Sequence, residues 1–269
     1  MAGAKVDSGD ETVATPHRRL SEPAYRGAFV AQYDRLRPVP PPDLIALLAT
    51  LGPERSPGLV VDLGSGTGIS ALAWADSAER VIGIEQNAEM LGAARRAPNV
   101  EYRHAPAQKT GLPDDSVDIV TCAQSFHWME HRSTIAEVAR ILRPEGLFAA
   151  YDYDWPPLVH WEVDEALLAI IAASGVDPDR PEKASHITRL RASRRFRSVR
   201  EAFAHTREPV DAERLALLPL VFGPVARRLQ EGVSEEELGL DRFRRVIERR
   251  IGTRDATLWW SYRIRYAVK

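Results

Sequence analysis

The chain has 269 residues, 44% hydrophobic and 28% charged, an ordinary globular composition that excludes a fully disordered or fibrous protein. No apolar run approaches the ~20 residues a membrane span needs. Residues 1–23 are too polar for a secretory leader, and the single cysteine, Cys122, excludes an internal disulfide, so the expected location is cytoplasmic. The formal net charge of −2 hides a split: residues 1–180 carry 16 Lys and Arg against 26 Asp and Glu, and residues 181–269 carry 20 against 12. Arginine, which grips carboxylates and phosphates bidentately, makes up all but four of the cations.

Residues 1–20 have the composition of a disordered tail. A helix is expected over 24–36, containing Tyr33, and the run from Arg37 through Pro42 breaks it because proline lacks the N–H and restricts the residue before it. A second helix starts at Asp43 and stops at Gly52-Pro53. Residues 21–57 thus form an N-terminal helical cap segment. The pattern then changes to short apolar strands alternating with helices: strands at 58–63, 80–85, 100–104, 116–123 and 147–153, helices at 69–77, 88–96 (with Asn87 as N-cap) and 131–142. That alternation implies right-handed crossovers and a parallel sheet covered on both faces, a core spanning 58–154. Beyond Trp155 the rhythm loosens. A helical insertion is expected over 155–195, with helices at 163–173 and 185–196. The remainder, 196–269, carries strands at 199–206 and 256–268 around a helical insertion at 208–253, drawn as two long helices over 212–230 and 234–251. Trp259 and Trp260 are expected to pack the last strand.

The stretch Val61-Asp62-Leu63-Gly64-Ser65-Gly66-Thr67-Gly68 carries the chemistry. It lies between a predicted strand and a predicted helix, where glycines let backbone turn sharply and approach a ligand without a Cβ in the way. Its G-x-G-x-G spacing differs from the G-x-G-x-x-G of dinucleotide sites, and Asp62 would repel a pyrophosphate while suiting a cationic ligand. Glu85 ends the second strand, 17 residues after Gly68, where an ionised carboxylate can accept both hydroxyls of a ribose. Gln124, His127 and Trp128 follow the fourth strand, at the end of the sheet where ligands of open α/β folds bind.

These motifs resemble the first motifs of the class I S-adenosylmethionine-dependent methyltransferases. The Gln-x-x-His-Trp stretch and the segment with Tyr33, Arg37 and Pro42 are similar to the small-molecule group that includes trans-aconitate methyltransferase. The resemblance covers residues 24–155. It implies an α/β, Rossmann-like doubly wound fold, a mostly parallel seven-stranded sheet with an antiparallel last strand and helical cap insertions. It implies S-adenosylmethionine as cofactor, held by Asp62, Gly64, Ser65, Gly66, Gly68, Glu85, Gln86, Ala107, Gln108 and Gln124. In the family Asp62's counterpart interacts with the methionine end and Glu85's with the ribose. Pro106 and Gln108 stand where acids that bind adenine are common, leaving Gln108 and the Ala107 N–H for that ring.

The implied reaction is direct methyl transfer to a small-molecule acceptor, O-directed at a carboxylate or hydroxyl. His127 is the candidate base, and Tyr33, Arg37, His127, Trp128, Tyr153 and Trp155 the candidate acceptor-binding residues. The basic back of the chain suggests an anionic acceptor. His127 and His131 stand four apart, as metal ligands can, but no third ligand converges in the sequence and no metal is expected. The run Arg189, Arg191, Arg194, Arg195, Arg197 and Arg200 would suit an RNA methyltransferase, yet no recognised nucleic-acid motif accompanies it, so nucleic acid is not an expected partner. A non-catalytic cofactor-binding protein and a nicotinamide oxidoreductase are the rival classes, and a monomer or homodimer the expected assembly.

Overall fold

A computed structural model describes residues 28–176 and 185–269. The expected tail at 1–20, the start of the first helix and residues 177–184 of the first insertion lie outside them.

Seven strands form one sheet in the order β3-β2-β1-β4-β5-β7-β6. β1 (Leu59–Leu63), β2 (Arg80–Glu85), β3 (Val100–His104), β4 (Val117–Ala123) and β5 (Leu142–Tyr153) are mutually parallel. β7 (Ala256–Val268) runs antiparallel between β5 and β6 (Ser198–Val210), so the expected sheet is the observed one. The chain order reverses between β1 and β4, which opens a crevice beyond their carboxyl ends.

Strand periodicity divides the core. Val60, Val81, Ile119, Ala149 and Ile264 pack on one face with Leu44 and Leu48 of α2 (Pro42–Leu51), with α6 (Trp161–Ala173) and with α10 (Leu240–Arg250). Their neighbours Val61, Ile82, Val120, Phe148 and Ala267 pack on the other face with Ile135 and Val138 of α5 (His131–Ile141) and Leu190 of α7 (Ser185–Ser193). Successive side chains of a strand point to opposite faces, so each central strand must be apolar throughout.

Element ends differ from expectation where turn chemistry decides. α1 is described over Ala28–Leu36, α3 covers only Ile69–Ala73, and α4 only Ala88–Gly92, with Asn87 capping it by accepting from the Glu89 and Met90 N–H groups. Residues 143–146 form a bulge within β5: Glu145 takes φ +67°, and the register jumps from Val117 opposite Leu142 to Ile119 opposite Leu147. Residues 212–230 are not one helix. Pro219 and Pro224 divide them into α8 (Ala212–Leu217), a 3-10 turn at Leu218–Val221, and α9 (Gly223–Gln230). Gly239, at φ +80°, delays α10 to Leu240. β6 extends to Val210 because it pairs with β7 along its whole length. Trp260 is buried, whereas Trp259 is 47% exposed beneath Arg207, 5.7 Å from its ring centroid.

Candidate active site

The loop between β1 and α3 is built by its glycines. Gly64 takes φ +68°, and a Cβ there would lie 2.6 Å from Ser125 Cβ. Gly68 takes φ +86°, and a Cβ would meet the Tyr102 hydroxyl at 2.1 Å. Only glycine supplies both the left-handed backbone and the clearance. The Gly64 and Ser65 N–H groups donate to the Ile84 carbonyl at 2.8 and 3.2 Å, and Ser125 Oγ donates to the Leu63 carbonyl at 2.7 Å. The loop is therefore seated across the ends of β2 and β4.

Glu85, 7% exposed, reaches back to this loop. Its Oε2 accepts from the Gly66 N–H at 2.9 Å and its Oε1 from the Asn87 N–H at 2.7 Å. The neighbouring Gln86 carbonyl accepts from His104 Nε2 at 2.9 Å. Asp62 is fully buried beneath the loop. It accepts from Thr121 Oγ1 at 2.8 Å and from Ser70 Oγ of α3, joining β1, β4 and α3. Burial pushes its carboxyl up to about 6 against those two hydrogen bonds. Tyr102's own burial, with the Asp62 and Asp34 charges, raises its phenol to about 12. Ala107 and Gln108 are half-buried in the turn after β3, where Ala107 packs against the α5-side core.

Gln124 leaves β4 at φ +54°. Its N–H donates to the Tyr151 carbonyl at 2.9 Å and its amide to the Tyr153 carbonyl at 3.3 Å. Four of the candidate acceptor residues meet here. The Arg37 guanidinium lies 4.7 Å from the Tyr33 ring centroid and 5.6 Å from that of Tyr153; it donates to the Tyr153 hydroxyl and, at 2.8 Å, to the Val221 carbonyl. Trp155 stacks on Trp260 at 5.6 Å and meets Phe222 at 5.4 Å and Tyr153 at 6.0 Å. His127 and Trp128 are elsewhere. They occupy a 3-10 turn after β4, on the opposite side of β5, where His127 Nδ1 stands 3.6 Å from Asp152 Oδ1.

Several contributors escaped the sequence reading. Asp34 of α1 accepts from Thr67 Oγ1 of the glycine loop and, at 2.8 Å, from Arg95 Nε, which fastens the N-terminal helix over the loop. Its position one residue after Tyr33 gave no signal. Phe222 and Val221 come from the insertion between β6 and β7, and no local pattern places them against β5. Asp152 had a weak signal, an acid in an apolar strand, and Tyr102, in the mostly polar β3, had none. Of the basic run, Arg197 pairs with Glu145 and Arg189 donates to Ser185 Oγ at 3.1 Å. Among the described residues no group of three or more His, Cys, Asp or Glu side chains is placed to hold a metal ion, and no helix is long and apolar enough to cross a membrane.

The residues present fit S-adenosylmethionine. Gly64 and Gly68 leave no room for a side chain, Glu85 at the end of β2 offers a carboxylate to the loop beside the switch point, and Ser65 Oγ is buried in that loop without a hydrogen-bond partner among the described residues. A seven-stranded sheet with one reversed strand and such a loop defines the Rossmann-like methyltransferase class of fold.

Comparison with known proteins agrees. Residues 61–150 match the family model described as a methyltransferase domain. The uncharacterized methyltransferase Mb3374 of Mycobacterium bovis is 37% identical over 121 residues, 45% of this chain and 48% of that protein. A solved structure from Anaeromyxobacter dehalogenans, assigned provisionally as a type II methyltransferase, is 26% identical with a TM-score of 0.71, over 86% of this chain and 97% of that one. Phosphoethanolamine N-methyltransferase 2 of Haemonchus contortus, solved in complex with S-adenosyl-L-methionine, shares the fold at 16% identity and a TM-score of 0.52, over 96% of this chain and 60% of that one. The chain spans about half the length of the curated relatives it matches.

Proposed function

We propose that the protein is an S-adenosylmethionine-dependent methyltransferase acting on a small-molecule acceptor, with oxygen of a carboxylate or hydroxyl as the methylated atom. The observation that carries this reading is the link from Glu85, at the end of β2, to Gly66 of the G-x-G-x-G loop, at the point where the strand order reverses. The cofactor supplies, when bound, a methyl group already activated on a sulfonium. The chain's own task is to hold, align and exclude water.

Glu85 accepts the ribose hydroxyls, Gly64, Ser65, Gly66 and Gly68 give the close backbone approach, and Asp62 sets a negative charge beneath the loop. Gln86, Ala107, Gln108 and Gln124 border the remaining parts of the cofactor. Tyr33, Arg37, Tyr153 and Trp155 form an aromatic wall for the acceptor, and the Arg37 charge within it suits an anionic group. Trp128 and His127 approach from the far side of β5, His127 as the group that takes a proton from a hydroxyl acceptor.

Calorimetric titration with S-adenosylhomocysteine tests the cofactor assignment. Binding is expected, followed by labelled methyl transfer to one or more members of a panel of small carboxylic acids and phenols. Thermal stabilisation by NAD(P) with none by S-adenosylhomocysteine overturns the reading. Tight product binding without turnover on any acceptor favours a non-catalytic binder.

A further inference from the structure

β5 is apolar from Leu147 to Ala150, and then places Asp152 at 3% exposure between two tyrosines that face the other way. The carboxylate is held from β7: Arg265 Nη1 donates to Asp152 Oδ2 at 3.0 Å, and Arg265 Nε donates to Glu201 Oε1 of β6 at 3.1 Å. Arg265 is itself 1% exposed. A buried ion pair adds little stability, because desolvating two charges offsets their attraction. Its placement therefore asks for another explanation, and the second oxygen supplies one. Asp152 Oδ1 faces His127 Nδ1 at 3.6 Å. Resting on the methyltransferase reading above, we propose that Asp152 is a positioning residue, which fixes His127 as the Nδ1–H tautomer so that Nε2 is the proton acceptor.

The described elements around Asp152 bring further titratable and charged groups to it. α7 brings His186, fully buried, with Nδ1 3.9 Å from Asp152 Oδ2. α5 brings His131, with Arg189 of α7 close to it, β4 brings Cys122, and Arg263 stands opposite Asp152 in the β7 register. Burial pushes His186 down to about 3 and His131 down to about 4, and raises the Cys122 thiol, so all three are neutral near pH 7. Asp152 brings a carboxylate charge next to a histidine whose side chain is still 16% exposed. That charge stabilises an imidazolium at His127. The two ring nitrogens point their lone pairs or protons apart, so a ring whose Nδ1 faces Asp152 turns Nε2 away from it. The proton of an acceptor hydroxyl passes to Nε2 and the O–H electron pair stays on oxygen. That oxygen forms the new bond to the methyl carbon, and the broken C–S pair remains on sulfur. The 3.6 Å separation is longer than a hydrogen bond and is of the kind that tightens when a site is filled.

Long-range ¹H–¹⁵N correlation spectra of the histidine rings test this, with His127 assigned by its loss in His127→Gln. In the wild type, neutral His127 is expected as the Nδ1–H tautomer with a bare Nε2. In Asp152→Asn its titration midpoint is expected to fall by about one unit or more, the effect of removing a charge at this distance. An Nε2–H tautomer in the wild type overturns the proposal, and this readout does not depend on the variant folding. An unchanged His127 midpoint in a folded Asp152→Asn overturns it equally. S-adenosylhomocysteine titration of the same samples separates the two readings: absent binding refutes the methyltransferase assignment, whereas binding with the wrong tautomer refutes only the role of Asp152.

Discussion

Asp62→Asn is expected to make the protein more stable and a poorer cofactor binder. The Asp62 carboxyl is fully buried, and burial raises it from 3.8 to about 6. An acid raised on folding binds more protons folded than unfolded between these values, so its contribution to stability falls as pH rises through the window. At neutral pH the ionised form costs about 3 kcal/mol, at ~1.4 kcal/mol per unit. The amide removes that cost but loses one acceptor from the Ser70 and Thr121 hydrogen bonds, about 1 kcal/mol. The net gain is about 2 kcal/mol, or roughly 4–8 °C in Tm for a domain of this size. Thermal denaturation of both proteins from pH 4 to pH 8 measures it. The gain should be full near pH 7.5 and fall away as pH drops through 6 toward 4, where the folded-state Asp62 carboxyl is protonated. Calorimetry at pH 7.5 should show roughly tenfold weaker S-adenosylhomocysteine binding, the loss of the negative charge beneath the loop. A variant less stable than the wild type at pH 7.5, or a gain that persists at pH 4, refutes the burial argument. Unaltered affinity beside the stability gain makes Asp62 structural alone.

Glu85→Gln leaves either the Gly66 or the Asn87 N–H facing an amide NH₂ instead of a carboxylate oxygen; about 1.5–3 kcal/mol should be lost, read as a lower Tm and at least tenfold weaker S-adenosylhomocysteine binding. Gly64→Ala combines a left-handed backbone with a 2.6 Å approach to Ser125 Cβ, so its urea midpoint should drop by more than that of Gly111→Ala, which has φ +71° but open space and should cost only about 1–2 kcal/mol. Equal losses would show that strain at φ, not the clash, governs the loop. Arg37→Met releases the Tyr153 and Val221 contacts and should speed hydrogen exchange in Ala28–Leu36; unchanged exchange would mean that Asp34 alone holds α1.

The core was legible in the sequence because its determinants are local. β2 ends at Glu85, Asn87 caps α4, and the glycine loop joins β1 to α3 as the spacing requires. The C-terminal third was less so. Its amphipathic periodicity runs on across Pro219, Pro224 and Gly239, and only those residues' backbone limits reveal the breaks. The acceptor side was half legible. Tyr33, Arg37, Tyr153 and Trp155 converge, but His127 does not join them, because strand alternation sends Tyr153 and Asp152 to opposite faces of β5. Nothing in a linear pattern pairs Asp152 with Arg265, which lies 113 residues away and comes beside it only through the antiparallel register of β5 and β7.

That pairing is one of several that join the two unevenly charged halves of the chain. Five cations of the basic back, Arg197, Arg249, Arg250, Arg265 and Lys269, pair with acids of the acidic front, while Arg214, Arg228 and Arg244 pair with acids of the back itself. Arg265 meets Asp152, Arg249 and Arg250 clamp Glu162, Arg197 meets Glu145, and Lys269 reaches Asp115 at 2.5 Å. Each bond joins a cation from residues 181–269 to an acid from residues 1–180. Glu162 is held well down, to about 2, by its two arginines, yet it lies at the surface, where such pairs are screened and add little stability. The same complementarity has a different consequence where it is buried. At Arg265 and Asp152 both partners are buried, so the last strand of the basic half holds an acid of the front half in place beside His127. Part of the charge segregation along the chain thus serves to pair its two halves, while Arg37, itself from the acidic front, lies against the Tyr33 and Tyr153 rings.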